Sequence, residues 1–127
     1  MGYQTCGFLG SGTTTTTDAT STILMTITVP DDCALVATVH ITGRNTSTGD
    51  CYQQVAYLAG RNRLGTFNLS NGTDNGYVSA TTSNLPDLYM ATCSSSASVY
   101  SNTVSISVTG ILATNIDWFA VAFGALH

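Results

Sequence analysis

The chain has 127 residues, of which 43% are hydrophobic and only 8% charged, with a formal net charge of −4. That length gives one domain with an attached arm. Its basic residues, Arg44, Arg61 and Arg63, are too few and too scattered for a nucleic-acid footprint or an electrostatic membrane anchor, and no apolar run approaches the roughly 20 residues of a membrane span.

Lys and Glu are absent, while Thr, Ser, Gly and Asn are abundant. Good helix formers are therefore scarce and β-branched residues plentiful, which predicts an all-β chain. The N-terminal stretch MGYQTCGFLGSG has neither the basic start nor the apolar centre of a secretory signal, and Cys6 stands where a myristoylation motif takes Ser or Thr. Residues 1–19 run through GSG into five consecutive threonines with no one-sided pattern. They read either as a disordered end or as an extended arm lying along a neighbouring subunit as an added strand. Phe8 and Leu9 favour the arm, because they give it something to bury.

Residues 20–127 read as the domain proper. STILMTITV puts Ile23, Met25, Ile27 and Val29 on one face of a strand, and Pro30-Asp31-Asp32 follows as a turn. CALVATVHIT points Leu35, Ala37, Val39 and Ile41 inward, before a polar loop over residues 43–50. CYQQVAYLAG is a third strand with Val55 and Tyr57 inward, and RNRLGTFNLS a fourth. NGTDNG is a strong turn signal, since Asn-Gly accepts the positive φ of tight hairpins. YVSATT, LYMATC and VYSNTVSISVTG supply three more strands, the last with Val104, Ile106 and Val108 alternating against serines. The closing strand sits in VTGILATNIDWFAVAF. Eight short antiparallel strands without a helix predict a β-sandwich of jelly-roll type.

The closing strand is apolar on both faces, with Ile116, Trp118, Ala120 and Ala122 on one and Phe119, Val121 and Phe123 on the other. A strand of this kind needs cover on two sides, and a chain this short supplies little of it. Other copies of the chain are the expected source.

Little in the sequence suggests catalysis. His40 lies outward between Thr38 and Thr42, with no GxSxG stretch and no oriented carboxylate to complete a triad. Asp31 and Asp32 are adjacent and fit a turn better than acid–base work, and NGTDNG is too poor in carboxylates for a calcium loop. The expectation is a non-enzyme without metal or cofactor. Cys6, Cys33, Cys51 and Cys93 contain no CxxC pair, which argues against zinc. They read as buried thiols acting as small hydrophobes. If one bridge forms, Cys51 to Cys93 is favoured, because both lie at ends of predicted strands. Such a bridge stabilises by about 3–4 kcal/mol.

The Thr-rich lead-in TTTTTDATSTILMTITVPDD, the strand-rich middle and the ending VTGILATNIDWFAVAF together resemble the β-sandwich domains of bacteriophage virion proteins, those of head-decoration or cement proteins and of tail-fibre tips. The likeness covers residues 20–124, and its closing-strand phrase falls on Thr109, Gly110, Thr114, Ile116 and Trp118. It implies a non-enzymatic homotrimer on the virion surface, made in the host cytoplasm and bound to the major capsid protein or neighbouring virion proteins. Phe8, Leu9, Trp118, Phe119, Val121 and Phe123 are then the expected interface residues, with Trp118 the best anchor. The competing role for Trp118 is plain core of a monomer. Four cysteines are more than a particle built in a reducing cytoplasm suggests. No shaft repeat precedes the domain, which favours capsid decoration over a tail fibre. The alternative reading is a receptor-binding tip that recognises host surface glycans through its polar loops, with Tyr52, Tyr77, Asn45 and Asn71 as contacts.

Overall fold

A computed structural model of the chain describes residues 5–63, 66–69, 78–84, 90, 93–100 and 102–127. The fold is all-β and consists of two antiparallel sheets. Nine strands occur among the described residues: β1 (Thr5–Thr16), β2 (Ser21–Thr28), β3 (Ala34–Asn45), β4 (Cys51–Arg63), β5 (Thr66–Leu69), β6 (Val78–Asn84), β7 (Ser94–Tyr100), β8 (Thr103–Thr109) and β9 (Ile116–Leu126). The larger sheet has the order β1-β9-β3-β4-β5, with β6 also pairing β4, and the smaller has the order β2-β8-β7.

Strict alternation fixes the inward rows. Leu35, Ala37, Val39 and Ile41 of β3 and Ile116, Trp118, Ala120 and Ala122 of β9 face Met25 and Ile27 of β2 and Val104, Ile106 and Val108 of β8 in one apolar cluster. The two sheets thus share a core in sandwich-like fashion. Gln54 Oε1 adds a polar tie across it, accepting hydrogen bonds from the Tyr52 hydroxyl and from Ser95 Oγ of β7.

The inward rows predicted for β3 and β8 match this arrangement and the two rows of β9 are now told apart, whereas the rows of β2 and β4 need correction. β2 carries a bulge between Ile23 and Met25, so Leu24 and Met25 are both buried and Ile23 is exposed. In β4 the buried row is Tyr52, Gln54, Ala56 and Leu58, which turns Val55 and Tyr57 to the outer face. Both rows of β4 hold apolar residues, and a one-residue slip exchanges the faces. The predicted seventh strand divides into the β7–β8 hairpin, in which Tyr100 faces Thr103. Met90 and Cys93 of the predicted LYMATC strand lie outside any strand, and the remainder of that stretch is not among the described residues.

Residues 5–16 form a strand of the larger sheet, pairing along β9 of their own chain from Thr5 opposite Leu126 to Thr16 opposite Ile116, whereas the expectation was an arm lying along a neighbouring subunit. β9 is consequently an interior strand with β1 on one side and β3 on the other. That position accounts for the apolar inner row of its sequence and leaves the outer row to be explained.

Candidate assembly surface

The outer face of the larger sheet forms a grid set by strand register. From one end to the other, Phe8, Phe123, Thr38 and Tyr57 stand side by side across β1, β9, β3 and β4. The next row is Ser11, Val121, His40 and Val55, followed by Thr13, Phe119, Thr42 and Gln53, and then by Thr15, Asp117, Arg44 and Cys51. Beyond the first row lie Cys6, Ala125, Val36 and Ala59.

Much of this face is apolar and open to solvent. Phe8 is 59% exposed, Val36 63%, Phe119 and Phe123 46% each, and Tyr57 45%. The Phe8 and Phe123 rings meet edge to face with centroids 6.1 Å apart, so these two side chains already pack on each other in the single chain. A contiguous group of large apolar side chains on a sheet face marks a site of association, whereas isolated ones do not. The outer face of the smaller sheet differs. There Thr26 and Thr28 of β2, Ser105 and Ser107 of β8, and Ser96 and Ser98 of β7 point to solvent. The molecule therefore has one face with clustered large apolar side chains and one that is mainly hydroxyl-bearing, where Ile23 and Tyr100 stand exposed apart from each other.

At its far end the apolar face becomes charged. Thr15 Oγ1 donates to Asp117 Oδ1 at 2.9 Å, and Arg44 stands opposite Asp117 in the register. The Arg44 side chain has no hydrogen-bond or ion-pair partner among the described residues. A shallow depression of about 420 Å³ opens here, lined by Thr13, Thr15, Thr42, Arg44, Asp117 and Phe119 among others.

The structure divides the residues expected at an interface. Phe8, Phe119 and Phe123 lie on the outer face with half-buried Val121 between them, and Leu9, displaced inward by the β1 bulge, packs against the core. Trp118 is core. It is 2% exposed, meets the Tyr52 ring edge to face at 5.5 Å, and donates from Nε1 to Thr16 Oγ1 at 2.9 Å. The indole lies over Gly43, where even a Cβ would come within 2.6 Å of Cζ3. Alternation puts Trp118 and Phe119 on opposite faces, and the neighbouring strands with Gly43 put the Trp118 row inside.

Two residues expected as glycan contacts have structural positions instead. Tyr52 is 1% exposed, and burial raises its hydroxyl above the ordinary range. Asn45 is buried and holds the loop that follows it, its Oδ1 accepting from Ser47 N at 2.9 Å and Thr48 N at 3.3 Å. Tyr77 and Asn71 lie outside the described residues. The favoured Cys51–Cys93 bridge is not formed. Cys51 Sγ donates to Gly49 O at 3.3 Å, while Cys93 is buried and its thiol is pushed up by desolvation. Cys6 is exposed and Cys33 buried. A thiol reagent added to the native protein should therefore label Cys6 at once and Cys33 and Cys93 only after denaturation, as peptide mass mapping would show. Immediate labelling of Cys33 would contradict its burial.

Sequence reasoning missed Val36 and Tyr57 as members of the patch, along with the Arg44–Asp117 register. The available signal was the second alternating row of β4, Val55 and Tyr57, which the inward assignment of those two residues concealed. Among the described residues no three His, Cys, Asp or Glu side chains gather where they could hold a metal ion. No protein-family model matches the chain, and no curated protein sequence matches it.

Proposed function

We propose that this chain is a structural, self-associating subunit of a bacteriophage particle, a decoration or cement protein on the exterior of the capsid. The observation that carries the reading is the contrast between the two sheet faces. A patch of Phe8, Phe123, Phe119, Tyr57 and Val36 is exposed on one side, and a Ser- and Thr-rich surface faces water on the other. A subunit bound through its apolar face and wetted on its hydroxyl face fits a shell component. The nested pairings of β1 with β9 and of β2 with β8 support a jelly-roll reading of the sandwich, while the β3–β4 and β7–β8 hairpins fall outside that wrapping. The resemblance adds the phage setting, with the major capsid protein or its neighbours as partners, and implies a homotrimer as one form of the self-association. Stabilisation would follow from linkage, because a subunit that binds only the assembled shell favours assembly.

The test is electron microscopy of purified particles carrying a labelled antibody against this chain. Label in a lattice over the head is the expected result. Label confined to the tail end would replace decoration with the receptor-binding reading, and particles without label would overturn both.

A further inference from the structure

We infer that the outer face of the larger sheet pairs with the same face of a second copy about a twofold axis that lies between β9 and β3 and runs parallel to them. The inference rests on the self-association reading and gives it a specific geometry, two copies face to face rather than three around an axis.

Arg44 and Asp117 occupy one end of the central two strands, directly opposite each other in the β3–β9 register. A twofold axis parallel to the strands keeps each residue's position along the strand and exchanges left for right. It therefore sets β9 of one copy over β3 of the other, and β1 over β4. Asp117 then meets the partner copy's Arg44, and Arg44 meets the partner copy's Asp117, so two ion pairs form by symmetry. Arg44 is available for this, since its side chain has no partner among the described residues. Thr15 already orients one Asp117 oxygen and leaves the other to accept. An axis across the strands would instead bring this charged row over the apolar row of Val36 and Ala125, where neither charge finds a partner.

The apolar residues fit the same operation. Phe8 on β1 comes over Tyr57 on β4, Phe123 over Thr38, and Val121 over His40. Aligned face-to-face packing of two sheets is a standard mode. The area is adequate for a dimer of modest affinity. A fully buried aromatic side chain covers about 150–250 Å². Phe8, Phe119, Phe123 and Tyr57, each about half exposed, together with Val36, therefore offer several hundred Å² per copy, against roughly 800 Å² per partner in a standard interface.

Charge exchange tests the register. Sedimentation equilibrium of the wild-type chain is expected to give twice the 13.2 kDa of one chain. The variant R44D alone presents carboxylates at both positions, and D117R alone presents guanidinium groups at both. Each should associate at least tenfold more weakly than wild type. Mixed one to one, the two should pair with each other and recover the two-copy mass, because every carboxylate then faces a guanidinium. Far-UV circular dichroism of each variant verifies that it is folded. A three-copy wild-type mass would overturn the twofold pair and keep self-association, whereas a one-copy mass at every concentration would overturn both. Association unchanged by either substitution, or folded variants that fail to recover on mixing, would exclude this register.

Discussion

Replacing Trp118 by Ala is expected to cost about 3–5 kcal/mol of stability, the range for removing a large aromatic side chain from a close-packed core. The indole is the largest of the fully buried side chains. It fills the space over Gly43, packs on Tyr52, and ties β9 to the end of β1 through Thr16. Its removal leaves a void bounded by backbone that cannot collapse, because Gly43 and Trp118 sit on adjacent paired strands. Urea unfolding followed by far-UV circular dichroism measures the effect. In the wild-type protein the single tryptophan also provides a fluorescence signal for the same transition. A loss below about 1 kcal/mol together with a drop in oligomer mass would return Trp118 to an interface role. A large loss of stability in the folded monomer would place it where the structure does.

The two roles considered for Trp118 show what could be read from the chain. Alternation alone separated Ile116, Trp118, Ala120 and Ala122 from Phe119, Val121 and Phe123, and the structure keeps that division. Alternation does not say which row faces the core. The closing strand offered two apolar rows, and only the neighbouring strands and Gly43 settle the choice. β4 presented the same ambiguity, with Tyr52 and Leu58 on one row and Val55 and Tyr57 on the other. In β2 the failure had another cause. A bulge adds one residue to one strand of a pair, so a pattern of period two breaks at Leu24, and nothing in STILMTITV marks the place. Arg44 and Asp117 are 73 positions apart in sequence and become neighbours only through the β3–β9 pairing. A site assembled by sheet register has no local signature.

The second large effect is expected at Gly12. Gly12→Ala should destabilise the fold by about 3 kcal/mol, at the upper end of what overpacking produces. A Cβ at this position would lie 2.0 Å from the Leu24 carbonyl oxygen and 2.9 Å from Met25 Cβ. The first obstacle is backbone, so no rotamer change relieves it, and β1 must move away from β2. GSG thus serves close packing where the two sheets approach each other, not the flexibility that its composition suggests. Ser11→Ala, exposed on the outer face, is the control and should change stability by less than about 0.5 kcal/mol. Amide hydrogen exchange locates the damage, and protection should fall first along β1, which among the described residues is paired on one side only. The displaced strand also carries Phe8 and the Thr15 bond to Asp117, which are the aromatic edge and the charge orienter of the outer face. Gly12→Ala should therefore weaken self-association along with stability, although Gly12 itself faces inward. Full retention of β1 protection in this variant would show that β1 is not seated against β2. Lost β1 protection with undiminished association would show that β1 contributes nothing to the assembly surface.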